Sequence, residues 1–192
     1  DGRFVVVWES GTSGQTSIAM QRFKANGDKQ GGKITVSDGG AGPATHPRVE
    51  PLPDATLAIV WEKAANALAP RDVHLRFFNS AGFAQGPSQV VHPVTEGDQQ
   101  DPVVAVAGSV AVIVAWADAD SGTTDGSDIR ARAFTPDGDS LGDVIAVNTE
   151  TEGDQTQPDI AAYKDGRVIS TWRSGITEDS ADTQYRIFDF SY

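Results

Sequence analysis

The chain reads as an all-β protein, a β-propeller-like repeat of four-stranded antiparallel blades. Two observations lead there: an internal repeat of about 55 residues, and apolar runs that are short and end in turn formers, with no sustained 3.6-residue period. The repeat is marked by tryptophan. Trp8, Trp61, Trp116 and Trp172 lie 53, 55 and 56 residues apart, and each ends an apolar run such as Phe4–Trp8 or Val112–Trp116. A phenylalanine column follows at Phe23, Phe78, Phe134 and Phe188, and a proline column at Pro47, Pro102 and Pro158 holds the same spacing.

Each repeat divides into four strands. The first is expected to follow the column proline, which is tolerated at a strand's first residue. The second ends at the tryptophan and the third at the phenylalanine. The fourth is Ile34–Val36, Ser88–Val91 and Val144–Val147 in successive repeats. Turn residues fill the gaps, as at Asn26-Gly27 and Asp137-Gly138. The alanine-rich stretch Glu62 to Ala69 stands where the other repeats carry Gly, Ser and Asp, and reads as a longer loop rather than a helix. A strand run that is apolar on both faces suits packing between neighbouring blades, with the tryptophan as anchor.

The repeats fall at about 1–45, 46–100, 101–156 and 157–192 of a single domain. The chain opens on a second strand and closes after a third, giving 3, 4, 4 and 3 strands. The expectation is a four-bladed propeller with one blade incomplete, or a slice of a longer array. Stacked sheets or a sandwich are the structural alternative. The start at Asp1-Gly2, without Met or an apolar leader, suggests a processed or excised piece.

Composition limits the partners. The 192 residues carry 15 Lys and Arg against 27 Asp and Glu, a net charge of -12. Nucleic acid needs clustered cations, and an anionic membrane surface needs the same, so both are disfavoured. The longest apolar runs are far shorter than a membrane span. With no cysteine there is no disulfide scaffold, thiolate metal site or thiol nucleophile.

One acidic loop stands out. Asp118, Asp120, Asp125 and Asp128 surround Gly122 and Gly126, and alternating carboxylates about such a turn can aim hard oxygens at one Ca2+. The pattern departs from an EF-hand, lacking the third alternating ligand and the terminal Glu. Calcium is the candidate ion, against the plainer reading of a solvated hairpin loop. The turns Glu96–Gln99 and Glu152–Gln155, 56 residues apart, read as local Asx-type turns, with a repeated ligand pocket between blades as the sharper alternative. Arg76, Arg132 and Arg186 form a further column, expected to pair with acidic neighbours on exposed strand positions. His46, His74 and His92 share no repeat position or metal-ligand spacing, and no Gly-x-Ser-x-Gly elbow or phosphate loop is present. No catalytic residue is assigned.

The columns resemble a repeat found in very large bacterial secreted and surface proteins of the haemolysin type (RTX-associated). The matches are Gly97-Asp98-Gln99 with Pro102–Ala105, Gly153-Asp154-Gln155 with Pro158–Ala161, Asp1–Ser10, Asp165–Val168 and Ile18–Phe23. The resemblance implies a secreted or cell-surface location and an adhesive or structural setting. The function expected from these readings is a non-enzymatic extracellular module for adhesion, display or ligand binding. A lectin-like carbohydrate binder is one alternative, and a polysaccharide-acting hydrolase or lyase is another. The ligand would be carbohydrate or another cell-surface molecule.

Overall fold

A computed structural model describes residues 2–93, 97–108, 111–119, 126–163, 165–175 and 182–190. Among them are fourteen strands and no helix. The first sheet holds β1 (Phe4–Thr12), β2 (Gln15–Phe23) and β3 (Lys29–Thr35), in that order. The second holds β4 (Ala44–Pro51), β5 (Leu57–Ala64), β6 (Arg71–Phe78) and β7 (Gln89–Val90). β8 (Asp98–Ala107), β9 (Ala111–Ala119), β10 (Asp128–Phe134) and β11 (Ser140–Ala146) make the third. β12 (Asp154–Ala162), β13 (Arg167–Gly175) and β14 (Asp182–Asp189) make the fourth. Every sheet is an antiparallel meander, and the strand counts of 3, 4, 4 and 3 are those the columns predict. Two sheets, not one, are therefore three-stranded.

The seams between sheets explain the columns. Trp61 and Trp116 are wholly buried and Trp172 nearly so, each on the face turned toward the preceding sheet. Trp61 packs among Ile18 and Met20 of the first sheet, and Trp116 among Val60, Val73 and Leu75 of the second. Such anchors are each worth a few kcal/mol by area. The sheets contact one another in sequence order, β1 with β4, β4 with β8 and β8 with β12. Among the described residues the succession of sheets is open, not closed into a ring.

The arginine column differs from its reading. Arg76, Arg132 and Arg186 each reach back to the preceding sheet and donate from Nη1 to the carbonyls of Val36 (2.8 Å), Val91 (3.0 Å) and Val147 (3.0 Å). Those three valines are fully buried at the end of a fourth strand. Only Arg76 also meets an acid, Asp38, at 2.7 Å among the described residues. A carbonyl with no ladder partner is thus satisfied across the seam by a charge-assisted donor.

The column prolines lie inside the first strands rather than at their starts. Pairing of the first strand with the second skips at the same place in three sheets, between Thr45 and Arg48, Gln100 and Val103, and Thr156 and Asp159. Each skip is a β-bulge, a place inside a strand where a residue without an N–H is tolerated. The residue before each proline, His46, Asp101 or Gln157, has a φ of 50–52°. A non-glycine residue held there costs about 1–3 kcal/mol, and such strain clusters at functional sites.

Candidate functional site

The bulges turn polar residues toward the seams, and at the seam of the second and third sheets they meet a buried acid. Glu62 directly follows Trp61 and is fully buried. It belongs to β5, so the loop read as starting at Glu62 begins only after Ala64. Its Oε1 accepts the backbone N–H of Asp101 at 2.8 Å. Its Oε2 lies 3.1 Å from Arg71 Nη1 and 3.1 Å from His46 Nδ1, and accepts from Thr45 Oγ1 at 3.3 Å. A buried carboxylate survives only when its charge and lone pairs are matched in this way.

Arg71 carries the network onward. Its guanidinium grips Asp98 with Nε at 2.9 Å from Oδ1 and Nη2 at 2.5 Å from Oδ2, while its backbone N–H donates to Oδ1 at 2.9 Å. Gln100 Nε2 adds a bond to Oδ2 at 2.6 Å. Partial burial works to raise the Asp98 pKa, but the hydrogen bonds and charge of Arg71 outweigh it and hold the carboxyl below the usual range. Asp98 is therefore ionised at neutral pH. The bond to Asp98, aided by Glu62, raises the pKa of Arg71 in turn, against burial.

The turn before the fourth sheet repeats the first part of this arrangement. Asp154 Oδ1 accepts the Ser127 N–H at 3.2 Å, 27 positions back in the chain, as Asp98 accepts that of Arg71. The Gly-Asp-Gln turns are thus clasps across seams rather than local turns. Gln155 does bond locally, to the carbonyls of Glu152 and Gly153, and its Oε1 also takes the Trp172 indole N–H at 3.0 Å.

A pocket of about 230 Å3 opens between the two turns. Asp98, Asp101 and Asp154 line it, with Gln100, Ser127 and Thr156. It is small beside the roughly 300–1,000 Å3 that takes a drug-sized ligand. Ligand atoms of His46, Glu62 and Asp101 lie within 4.8 Å of one another and form the one metal-competent cluster among the described residues. Any cation there competes with Arg71, which already neutralises Glu62. His46 joins this cluster although its spacing carried no metal-ligand signal.

Of the calcium candidates, Asp118 and Asp128 face each other across β9 and β10. Asp118 Oδ1 accepts from Gln99 Nε2 at 2.8 Å; Asp128 accepts from Asn148 Nδ2 at 2.7 Å and from Arg130 Nη2 at 3.0 Å. Asp120 and Asp125 lie outside the described residues.

No family model and no curated protein sequence matches the chain. Solved structures do. A protein of unknown function from Dyadobacter fermentans superposes with a TM-score of 0.71 at 12% identity, over 97% of this chain and 50% of that one. An α-L-arabinofuranosidase from Fusarium graminearum, solved with arabinobiose, gives 0.70 at 14% identity, over 97% and 59%. An α-L-arabinanase from Penicillium chrysogenum, also with arabinobiose, gives 0.70 at 16%, over the same shares. The likeness is one of fold. This chain spans half to three fifths of the length of these proteins. The finding corrects the expectation of a non-enzymatic module for adhesion or display, because the named enzymes among these neighbours are an α-L-arabinofuranosidase and an α-L-arabinanase. The alternative of a polysaccharide-acting hydrolase fits them better. The oversight in the sequence reading was Glu62, and the available signal was the charged residue set directly behind an anchor tryptophan.

Proposed function

We propose that the chain is the carboxylate-bearing part of a glycosidase acting on a furanose-containing polysaccharide such as arabinan. The observation that carries this reading is the set of three aspartates on one small pocket, in a fold shared with an α-L-arabinofuranosidase and an α-L-arabinanase. Glycoside hydrolysis needs one carboxylic acid to protonate the leaving oxygen and one carboxylate to attack or to activate water. In this reading Asp101 and Asp154, which both line the pocket, fill these places. Asp98, tied to Arg71, stays charged and favours the cationic transition state of the sugar ring. Glu62 is a positioning residue: its bond to the Asp101 N–H fixes the strained turn that presents Asp101.

In this reading the sheets are blades of a propeller, the location is secreted or cell-surface where such polymers are met, and calcium at the 118–128 loop is a structural ion. The test is sugar release from linear arabinan, with pectin and xylan alongside, by the chain and by its Asp101→Asn and Asp154→Asn variants. Loss of one working carboxylate should lower the rate by about 10²–10⁴-fold with the fold intact. Release of no sugar by the unaltered chain, or retention of full rate by Asp101→Asn, would overturn the proposal.

A further inference from the structure

Each strand that follows a tryptophan-bearing strand pairs with it in one common register. The position opposite the second residue after the tryptophan is Asp72 in β6, Asp128 in β10 and Asp182 in β14, but Ser17 in β2. Two of these aspartates stand beside the residue that follows the buried valine of the fourth strand. Asp128 Oδ1 accepts from Asn148 Nδ2 at 2.7 Å, and Asp72 Oδ1 lies 3.7 Å from His92 Nε2. In the first sheet that residue is Ser37. Its Oγ accepts the Ile18 N–H at 3.0 Å, just as Asn148 Oδ1 accepts that of Ile129 at 2.7 Å. Ser37 is buried, and its O–H proton has no acceptor among the described residues. Ser17 turns its own hydroxyl to the Ser10 carbonyl. The seam of the first and second sheets therefore keeps a buried donor and lacks the carboxylate.

The surroundings change in the same sense. The acidic residues of the later turns, Glu96 and Asp98 or Glu152 and Asp154, are replaced before β4 by Ala41 and Pro43. Lys63 occupies the place of Asp118 and Ser174. It lies on the face of β5 that Trp61 shares. Its Nζ donates to the Asp38 carbonyl at 3.3 Å, and no carboxylate lies within 4 Å of it among the described residues. A pocket of about 150 Å3 opens there, lined by Lys63, Ser17, Ser37, Gly39, Gly40 and Gly42. Gly42 has a φ of 89°, and a Cβ on it would collide with the Ala64 carbonyl oxygen, so glycine lets this loop close on the end of β5. A Cβ on Gly40 would stand 3.6 Å from Lys63 Nζ, which puts the loop beside the ammonium. The amides of Gly39, Gly40 and Gly42 donate to no group among the described residues. Asp38 also lines the pocket, but its carboxylate is engaged by Arg76 Nη1 at 2.7 Å and by the Ser88 N–H at 2.7 Å.

We infer that this pocket is an oxyanion site, taking from a ligand the carboxylate, sulfate or phosphate group that Asp72 and Asp128 supply from within in the later seams. A cation beside free backbone amides at a turn is the usual make-up of such a site. Lys63 Nζ, the Ser37 hydroxyl and the glycine amides are its donors. The group can arrive as a free inorganic ion or on an acidic saccharide, and the chemistry of capture is the same. The inference is independent of the glycosidase reading, since no residue of the acidic pocket lines this one.

The test is calorimetric titration of the intact chain at low salt with inorganic phosphate and with trigalacturonate, and with maltotriose as the neutral control. Binding of both anions assigns a free-ion site, and binding of trigalacturonate without phosphate assigns an acidic saccharide. Lys63→Met should weaken the binding about tenfold or more, the loss expected for one charged donor. Ser17→Asp installs the residue of the later sheets and should abolish binding, because the site then holds its own carboxylate. That variant restores the repeat, so it keeps the test decisive if Lys63→Met does not fold. No heat from either anion, equal binding of maltotriose, or an unchanged affinity in Ser17→Asp would overturn the inference.

Discussion

The turns before the third and fourth sheets have the same four residues, Glu-Gly-Asp-Gln, and sit in different chemistry. Asp154 clasps Ser127, a neutral partner, and closes its seam. Asp98 makes the same backbone clasp and also binds the guanidinium of Arg71, which is shared with the buried Glu62. The repeat thus supplies the scaffold of both seams, and the cation Arg71 sets the first of them apart. Glu62 matches Glu9 of the first sheet, whose Oε1 accepts the His46 N–H at 3.0 Å as that of Glu62 accepts the Asp101 N–H, and is replaced by Ala117 and Arg173 in the two later sheets; Arg71 is replaced by Ser127 in the next. The difference teaches that the repeated clasp positions backbone, and that the guanidinium of Arg71, which is Ser127 in the third sheet, ties Glu62 and Asp98 into one network.

The strongest way to break this comparison is to remove the cation from one seam and the hydroxyl from the other. Arg71→Met leaves Glu62 buried with its main counter-charge gone, at a cost of about 3–5 kcal/mol. Ser127→Ala removes one neutral side-chain bond while leaving the backbone clasp, and should cost about 1 kcal/mol. Combining Arg71→Met with Glu62→Leu should recover much of the larger loss, since a buried ion pair exchanged for apolar groups is often near neutral. Urea unfolding of the four proteins measures all three values. Equal losses in the two single variants would show that the seams are held alike.

Acid sharpens the same contrast, and it acts in two windows. His74 stacks against Trp61 with ring centroids 5.7 Å apart, and burial, helped by Lys63, lowers its pKa from 6.5 to about 4. Between those values the unfolded chain binds more protons than the folded one, so stability rises with pH across this range. Stability is complete above about pH 6.5, and at most about 3 kcal/mol is lost on descending to pH 4. His74→Gln should flatten that limb. Asp98 contributes stability that is present above the usual carboxylate pKa and is lost as pH falls through its lowered folded value. This second loss begins only below about pH 4, and Arg71→Met should abolish it. Denaturant midpoints between pH 3 and 8 separate the two; a flat profile above pH 4 would contradict the burial of His74.

Much of the scaffold was legible because large side chains mark seams. Trp61, Trp116, Phe78 and Phe134 are buried in equivalent places, and burial of that kind forces a spacing onto the sequence. The first strands were less legible. Their opening residues, Thr45-His46, Gln100-Asp101 and Thr156-Gln157, are polar, and they pair through backbone around a bulge that no apolar pattern records. The site was hardest to see. Glu62 looks like the start of a loop until Arg71, from the next strand, and Asp101, from the next sheet, are brought against it. The arginine column was visible as a column, but its partners are backbone carbonyls, which carry no sequence signal at all.

Calcium gives the smallest expected effect. Asp118 and Asp128 already have partners in Gln99, Asn148 and Arg130, so an ion at this loop would draw mainly on Asp120 and Asp125. Binding to the folded chain alone stabilises by RT ln(1 + [L]/Kd), about 1.4 kcal/mol at ten times Kd. Millimolar Ca2+ should therefore raise Tm by only a few degrees. Asp118→Asn should preserve most of that rise, because its carboxylate already accepts from Gln99, while Asp120→Ala should remove it. Calorimetric titration of both variants decides the matter: no heat in the unaltered chain removes the ion, and loss of heat in Asp118→Asn would assign Asp118 to the metal rather than to the seam.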